Sequence, residues 1–286
     1  MLNFRYHALS LVAVFLALAI GVVLGVAIGD KGVVSGTSRD LEKSLRGDLD
    51  KAREHNNDLS SQLSARESFE REAYPSLVRG RLRGDRIGIV AIGNLPKDVV
   101  GNVSDAVEPA GGRVVSVNVV ASPLPFKEIS SDLGGSPLGR RLVRSERRQE
   151  RLGRAVGRQL ATGGRLPARV RTSVFSSSRG AFGKLDAVVI VRDRDGLEGT
   201  QKDQEDAFEA GLLKGLVGSG VTVVGVERQN TDPSQIGFMK DRDLSTVNGI
   251  DLLAGQTALV YVIGGAEGSY GAGEDKLLPP RPSRGN

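Results

Sequence analysis

The side chains that most often carry metal or redox chemistry are scarce in this sequence of 286 residues. It contains no Cys, two His (His7 and His55) and two Met (Met1 and Met239). Thiolate, imidazole and thioether groups are the ligands that copper(I), zinc and iron–sulfur clusters prefer. The lack of Cys also rules out disulfides and thiol nucleophiles. The sequence therefore predicts no metal ligands, no catalytic residues and no cofactor.

Motifs for nucleophilic catalysis and nucleotide binding are also missing. Neither His falls in the region that we expect to fold as an α/β domain, and no GxxxxGK[ST] loop occurs. The run Gly264–Gly268 could cradle an anion, but it favours a tight turn after a strand. The segment Asp193–Glu198 resembles part of a calcium loop, but it favours a strand exit that caps a helix beginning near Gln201. We therefore predict a protein that is not an enzyme. An α/β enzyme of unknown substrate is the third option, after the two non-catalytic functions given below.

An Arg-rich stretch is the strongest charged feature of the chain. Between Arg140 and Arg171 there are eleven Arg against two acids, Glu146 and Glu150. An apolar stripe accompanies them at Leu138, Leu142, Leu152, Val156 and Leu160. The stripe predicts an amphipathic helical insertion over 138–171 with a basic outer face. This basic patch comprises Arg140, Arg141, Arg144, Arg147, Arg148, Arg151, Arg154 and Arg158.

The chemistry of this patch limits its partners. We expect the patch to lie outside the cell, where nucleic acid is absent. An anionic lipid headgroup, an acidic wall polymer or an acidic protein partner would fit it. The alternative is an Arg-rich helix that contacts only solvent.

The elements that must position these residues begin with an apolar segment. Residues Ala8–Gly29 are 22 consecutive uncharged residues, which as a helix span about 33 Å and suffice for a hydrocarbon core of about 30 Å. We predict an uncleaved transmembrane anchor over 8–29, the alternative being a cleaved signal peptide. The leader 1–7 carries Arg5 and no acid, which predicts a cytoplasmic N-terminus and an extracytoplasmic C-terminal domain in a single-pass cell-membrane protein.

Small residues recur on this anchor every fourth position. Such spacing lets two membrane helices approach closely, so it favours a homodimer within the lipid bilayer. The alternative is that Gly and Ala are simply common in membrane helices. The stripe consists of Ala13, Ala17, Gly21, Gly25 and Gly29.

A helical stalk is predicted over 38–74, ended by Pro75. Apolar residues follow steps of four and three along it, which is the heptad pattern of a coiled coil. Asn56 falls at an a position, where a buried Asn favours a parallel two-stranded register, and Asp48 can pair with Arg53 of a second chain. The alternative is a lone amphipathic helix. The seam consists of Leu45, Leu49, Ala52, Asn56, Leu59 and Leu63.

The composition from Arg83 onward is that of a globular α/β domain. Five apolar runs predict strands near 87–92, 114–120, 187–191, 221–226 and 258–263. They do not alternate, which is typical of a mostly parallel sheet covered on both faces. Helices are predicted over 98–109 and 201–217, with Gly111-Gly112 at the exit of the first. We therefore expect a three-layer α/β head over 83–271, followed by a disordered tail over 272–286.

Two strings give the sequence a family resemblance. HALSLVAVFLALAIGVVLG near the N-terminus and DLSTVNGIDLLAGQTALVYVIGGAEGSYG near the C-terminus resemble the actinobacterial MctB family of copper transport outer membrane proteins. The resemblance implies an envelope protein involved in copper transport or homeostasis. SteB-like members imply instead a cell-separation factor that binds a partner membrane protein and regulates cell-wall hydrolysis. The residues themselves favour a dimeric, membrane-anchored scaffold.

Overall fold

The computed structural model describes residues 4–29, 33–194 and 196–280 of the chain. The chain divides into two compact units, residues 1–68 and residues 69–286. Its elements follow in this order: α1 (Phe4–Gly29), α2 (Val33–Val78), β1 (Arg86–Gly93), α3 (Val99–Val107), β2 (Arg113–Val120), α4 (Phe126–Leu133), a 3-10 turn (Leu142–Arg144), α5 (Glu146–Thr162), α6 (Leu166–Arg169), α7 (Arg171–Val174), β3 (Phe175–Gly180), β4 (Ala187–Asp193), α8 (Gly199–Val217), β5 (Thr222–Glu227), α9 (Ile236–Lys240), β6 (Ser245–Asn248), α10 (Leu253–Ile263) and β7 (Ser269–Gly271).

The first unit contains the predicted apolar helix as α1. Within it, Tyr6–Ala27 form a segment of 22 residues that is long and apolar enough to cross a membrane, the one such helix among the residues that the structure describes. The side chains of Leu9, Val14 and Leu18 are all more than half exposed, so the unit itself does not cover them. Because aliphatic surface in water is unfavourable, α1 has the properties of a membrane anchor.

The sequence predicts that the stalk helix ends before Pro75. This prediction is wrong, because α2 continues through Pro75 to Val78. Pro75 lacks the N–H that would complete the helical ladder, which normally weakens a helix. Here Tyr74 and Val78 are buried in the core of the second unit, and the Tyr74 hydroxyl donates a hydrogen bond of 2.7 Å to the carbonyl of Ala106. Packing on both sides of Pro75 therefore outweighs the missing hydrogen bond.

The second unit is built on a sheet of seven strands in the order β3-β2-β1-β4-β5-β6-β7. All neighbouring strands are parallel except β3, which pairs antiparallel with β2. Helices cover both faces: the end of α2 with α3 and α10 on one, and α4, α5 and α8 on the other. The predicted three-layer, mostly parallel α/β fold is confirmed. So are the predicted helices at α3 and α8.

The predicted fifth strand is wrong. Residues 258–263 belong to the helix α10, and the sheet gains β3, β6 and β7 instead. Leu259, Val260 and Val262 are fully buried, so nearly all sides of α10 are apolar, and such a helix cannot be told from a buried strand by periodicity. The three missed strands are short and rich in Ser, Thr, Asn and Gly, which lowers their strand signal.

The two ligand-like segments have structural roles. Gly264–Gly268 forms a turn, as expected, but it follows α10 and leads into β7 rather than leaving a strand. Asp193 ends β4 as predicted, whereas the predicted cap is wrong: Glu198 occupies the N-cap of α8 and makes no side-chain capping hydrogen bond. Asp195 lies outside the described residues.

The Arg-rich insertion forms several helices rather than one. Only α5 is long, and Leu138 and Leu142 precede it instead of continuing its stripe. Leu152, Val156 and Leu160 are buried as predicted. The insertion therefore supplies much of one helical layer.

The helices α5 and α8 are in backbone contact through glycines. A Cβ on Gly153 would lie 2.0 Å from the Phe208 carbonyl oxygen, and one on Gly211 would lie 2.0 Å from the Glu150 carbonyl oxygen. Gly157 and Gly215 continue this contact one turn later. Two glycines four residues apart on each helix therefore let the backbones approach more closely than any side chain would permit.

Candidate functional site

In open α/β sheets, ligands bind beyond the carboxyl ends of the strands, where neighbouring connections leave in opposite directions. In this sheet that point lies between β1 and β4. Here the strand ends are held together: the Asn94 amide donates to the Asp193 carbonyl at 2.5 Å. Gly93 has a φ of +87°, and a Cβ there would lie 2.2 Å from the same oxygen. The ladder between β1 and β4 therefore continues to the ends of both strands.

An ion-pair network fills the space beside this point, between β4 and α8. Arg192 donates from Nε to Glu209 at 2.7 Å. Arg194 lies 3.6 Å from both Glu205 and Glu209 and also pairs with Asp206. The side chains of Arg194 and Glu209 are only 6% and 2% exposed. Each buried charge therefore needs its oppositely charged partner to offset the cost of its removal from water. Burial raises the pKa of the Glu209 carboxyl, and the nearby Arg192 and Arg194 guanidiniums oppose that rise.

Two buried carboxylates extend the network along the carboxyl ends of the strands. Glu205 accepts hydrogen bonds from the Ser122 hydroxyl at 2.8 Å and the Leu124 amide at 2.6 Å, which fixes the connection after β2. Glu227, at the end of β5, accepts from the Ser234 hydroxyl and the Gln235 amide, both at 2.7 Å. These carboxylates already hold partners within the chain. The arrangement therefore favours a structural network over an acid–base site.

A substitution at Arg194 tests this interpretation. We expect Arg194→Met to lower the free energy of unfolding by about 3–5 kcal/mol, because it leaves buried carboxylates without their shared cation. The matched control is Arg154→Met, since Arg154 forms an exposed pair with Glu150 and such pairs contribute about 0–1 kcal/mol. Urea unfolding of the detergent-solubilised chain, followed by circular dichroism, measures both. Equal stability of the two variants would contradict the structural role.

The predicted anchor stripe lies along α1. Ala13, Ala17, Gly21 and Gly25 repeat every four residues and so share one side of the helix, and Gly29 is its last residue. A Cβ added at Gly21 or Gly25 would meet nothing within 4 Å. Within the first unit this side of α1 is therefore open, and its pairing with a second chain stays a prediction.

The predicted heptad seam lies on α2 and is uncovered. Leu45, Leu49, Leu59 and Leu63 are 60%, 51%, 49% and 58% exposed, respectively. Ala52 and Asn56 are exposed as well. Arg53 lies 3.6 Å from Asp50 of its own chain, and its expected pairing with Asp48 of a second chain stays a prediction. Four large aliphatic side chains at heptad spacing thus have no partner within the described part of their unit.

The basic patch is mostly a surface of α5 and of the residues before it. Arg140, Arg141, Arg144, Arg147, Arg151, Arg154 and Arg158 are exposed. Arg148 is half-buried and donates to the Pro137 carbonyl at 2.8 Å, so it has a structural role. Arg154 pairs with Glu150 at 3.1 Å. Binding of an anionic partner by the exposed Arg side chains stays a prediction.

The few soft metal donors are not brought together. His7 lies on α1 and His55 on α2, while Met239 of α9 is 1% exposed, with its sulfur packed against Gly225. Among residues 4–29, 33–194 and 196–280, no group of three or more His, Cys, Asp or Glu side chains is placed to hold a metal ion. These residues do not fit a copper(I) site.

Comparisons with known proteins give consistent results. Residues 1–279 match the family model described as "Copper transport outer membrane protein, MctB". Proteins named "Copper transporter MctB" from Mycobacterium bovis and Mycobacterium tuberculosis are 27% identical to this chain over 313 aligned residues. The alignments cover 97% of this chain and 98% of each relative. Both findings agree with the resemblance inferred from the two terminal strings.

Proposed function

Because this chain belongs to the MctB family of copper transport proteins, we propose that it serves copper transport as a dimeric, membrane-anchored, non-catalytic scaffold. Copper is then the cargo of the system rather than a ligand of this chain. The observation that carries the proposal is the donor set: the described residues offer no site with the soft ligands that copper(I) prefers. A scaffold needs no such ligands.

The scaffold role has two physical supports. An apolar helix long enough to cross a membrane gives the chain an anchor. The uncovered Leu seam of α2 gives it a surface that association would bury, since apolar side chains in water are unfavourable. We infer that two chains pair in parallel through α2 and α1, because every copy of the chain enters the membrane in the same direction. The α/β unit would then present a partner-binding surface rather than an active site.

We expect the full-length chain not to bind copper(I) tightly. Without Cys, and with Met239 buried, the described residues cannot assemble the two or three soft ligands of a tight site. Competition against a colorimetric copper(I) chelator, with the chain in nanodiscs, measures this. No transfer of copper is expected. Capture of one copper per chain would refute the scaffold proposal and indicate a copper carrier.

We also expect the α/β unit to lie on the extracytoplasmic side. Arg5 is the only charged residue before the apolar segment, and positive charge is retained on the cytoplasmic side. A reporter that is active only in the cytoplasm, fused after Asn286, should be silent. The same reporter placed before Met1 should be active and serves as the control. The opposite pattern would reverse the topology.

A further inference from the structure

One face of the sheet has an open groove beside α3. The groove encloses about 630 Å³ and is lined by the β1–α3 connection, α3, β2 and β3. Its floor contains Val117 and Val119, which are half-buried and pack against the core of this face. Val100 of α3 and Leu95 form one wall. We call this space the β2–β3 groove.

Strand pairing orders the side chains along the groove. Val117 pairs with Arg179 of β3, and Val119 pairs with Ser177. Residues two apart on a strand point to the same face and lie about 7 Å apart. Arg179 therefore stands about 7 Å from Ser177, with the two valines alongside as a continuous apolar strip.

The charge of the groove has one sign. Lys97 and Arg179 are exposed and line it, and none of its lining residues is acidic. Neither cation forms an ion pair in the described part of the chain. The Ser177 hydroxyl adds a hydrogen-bond donor at the rim, whereas the Ser176 hydroxyl donates to the Val119 carbonyl at 3.4 Å. The groove thus combines an apolar floor with groups that favour an anion.

The position of the groove also suits a ligand. It lies by the loop that follows the carboxyl end of β1, which is the side of an α/β sheet where ligands bind. Its volume falls in the range of about 300–1,000 Å³ that is usual for small-molecule sites. The β1–α3 connection contains Pro96 and no run of glycines, so it lacks the cradle of backbone amides that a nucleotide phosphate needs.

We propose that the β2–β3 groove binds an anionic single-chain amphiphile, such as a long-chain carboxylate. The acyl chain lies on Val117 and Val119 against the wall of α3, and the anionic head is held by Lys97 or Arg179. A neutral lipid would leave both cations unpaired, and a polyanion without an apolar body would leave the valines exposed. The site depends neither on pairing through α2 nor on copper.

Photocrosslinking tests the proposal on the full-length chain in phosphatidylcholine nanodiscs. The probe is dodecanoate carrying a diazirine on its acyl chain, and the matched probe is the corresponding dodecanol. Mass spectrometry locates the adducts. We expect about ten-fold more adduct on β2, β3 and α3 with the carboxylate than with the alcohol. Each probe also labels α1 through the bilayer, and the groove adducts of each probe are normalised to that labelling as the internal standard.

Variants then distinguish binding through the two cations from nonspecific hydrophobic binding. The double variant Lys97→Glu and Arg179→Glu should reduce groove adducts about ten-fold. Arg151→Glu, an exposed cation on α5 that is outside the groove, should leave them unchanged. Unaltered thermal unfolding of each variant verifies the fold. Equal groove labelling by the two probes, unchanged labelling of the double variant, or adducts on α1 alone would overturn the proposal.

Discussion

A chain carrying both Leu49→Lys and Leu63→Lys is expected to sediment as a monomer in detergent, under conditions where we expect the unchanged chain to sediment as a dimer. Both side chains occupy heptad position a of the seam, and both are more than half exposed in the single chain. Burial of each Leu between two helices contributes about 1.5–3 kcal/mol before entropy costs. The substitution removes that gain and would place two ammonium groups in an apolar seam.

The matched control places the same charges outside the seam. Asn57→Lys with Ser64→Lys adds two Lys at neighbouring exposed b positions of α2, so net charge and helix content change alike. This variant should remain a dimer. If the unchanged full-length chain is itself a monomer in both detergent and nanodiscs, the seam does not pair two copies and the scaffold must act as a single chain.

The second large effect is expected at the contact between α5 and α8. Gly211→Ala should lower the free energy of unfolding by about 1–3 kcal/mol, although Ala is the better helix former. The new methyl group would lie 2.0 Å from the Glu150 carbonyl oxygen, and backbone cannot rotate away as a side chain can. The two helices must separate, which opens space around the neighbouring Leu212.

Gly101→Ala supplies the control for this change. Gly101 lies within α3, and a Cβ there meets nothing within 4 Å. Its replacement should be neutral or should stabilise the chain by up to about 1 kcal/mol, through helix propensity alone. Thermal unfolding of both variants side by side measures the difference. A stabilising effect of Gly211→Ala would show that α5 and α8 are not in backbone contact at Gly211.

The sequence predicted the features that rest on long, uniform patterns. The apolar run after the leader, the strands β1, β2, β4 and β5, and the helices before β2 and β5 all have the predicted type. It failed where burial removes periodicity, as in α10, and where strands are short and polar, as in β3. Pro75 is the third kind of failure, because packing of Tyr74 and Val78 overrides a local breaker.

The network and the groove were missed for different reasons. Glu205 and Glu209 are spaced four residues apart, like Phe208, Leu212 and Leu216 of the apolar stripe on the same helix. This spacing could have predicted that the two acids are buried. The pairs Gly153–Gly157 and Gly211–Gly215 also carry the small-residue spacing that drew attention in the apolar segment. By contrast, Lys97 and Arg179 are 82 positions apart, and only the pairing of β2 with an unpredicted strand brings them to one groove.

The two ends of the sheet bear on how copies behave when crowded. Tethering by α1 would confine many chains to one plane and raise their local concentration. A sheet with long parallel outer strands would then tend to copolymerise with its neighbours through unpaired backbone groups. Here β3 reverses direction and carries three Ser and an Arg, and β7 has only three residues. Neither border offers a long apolar template, so dense populations of this chain should resist fibril-like strand exchange.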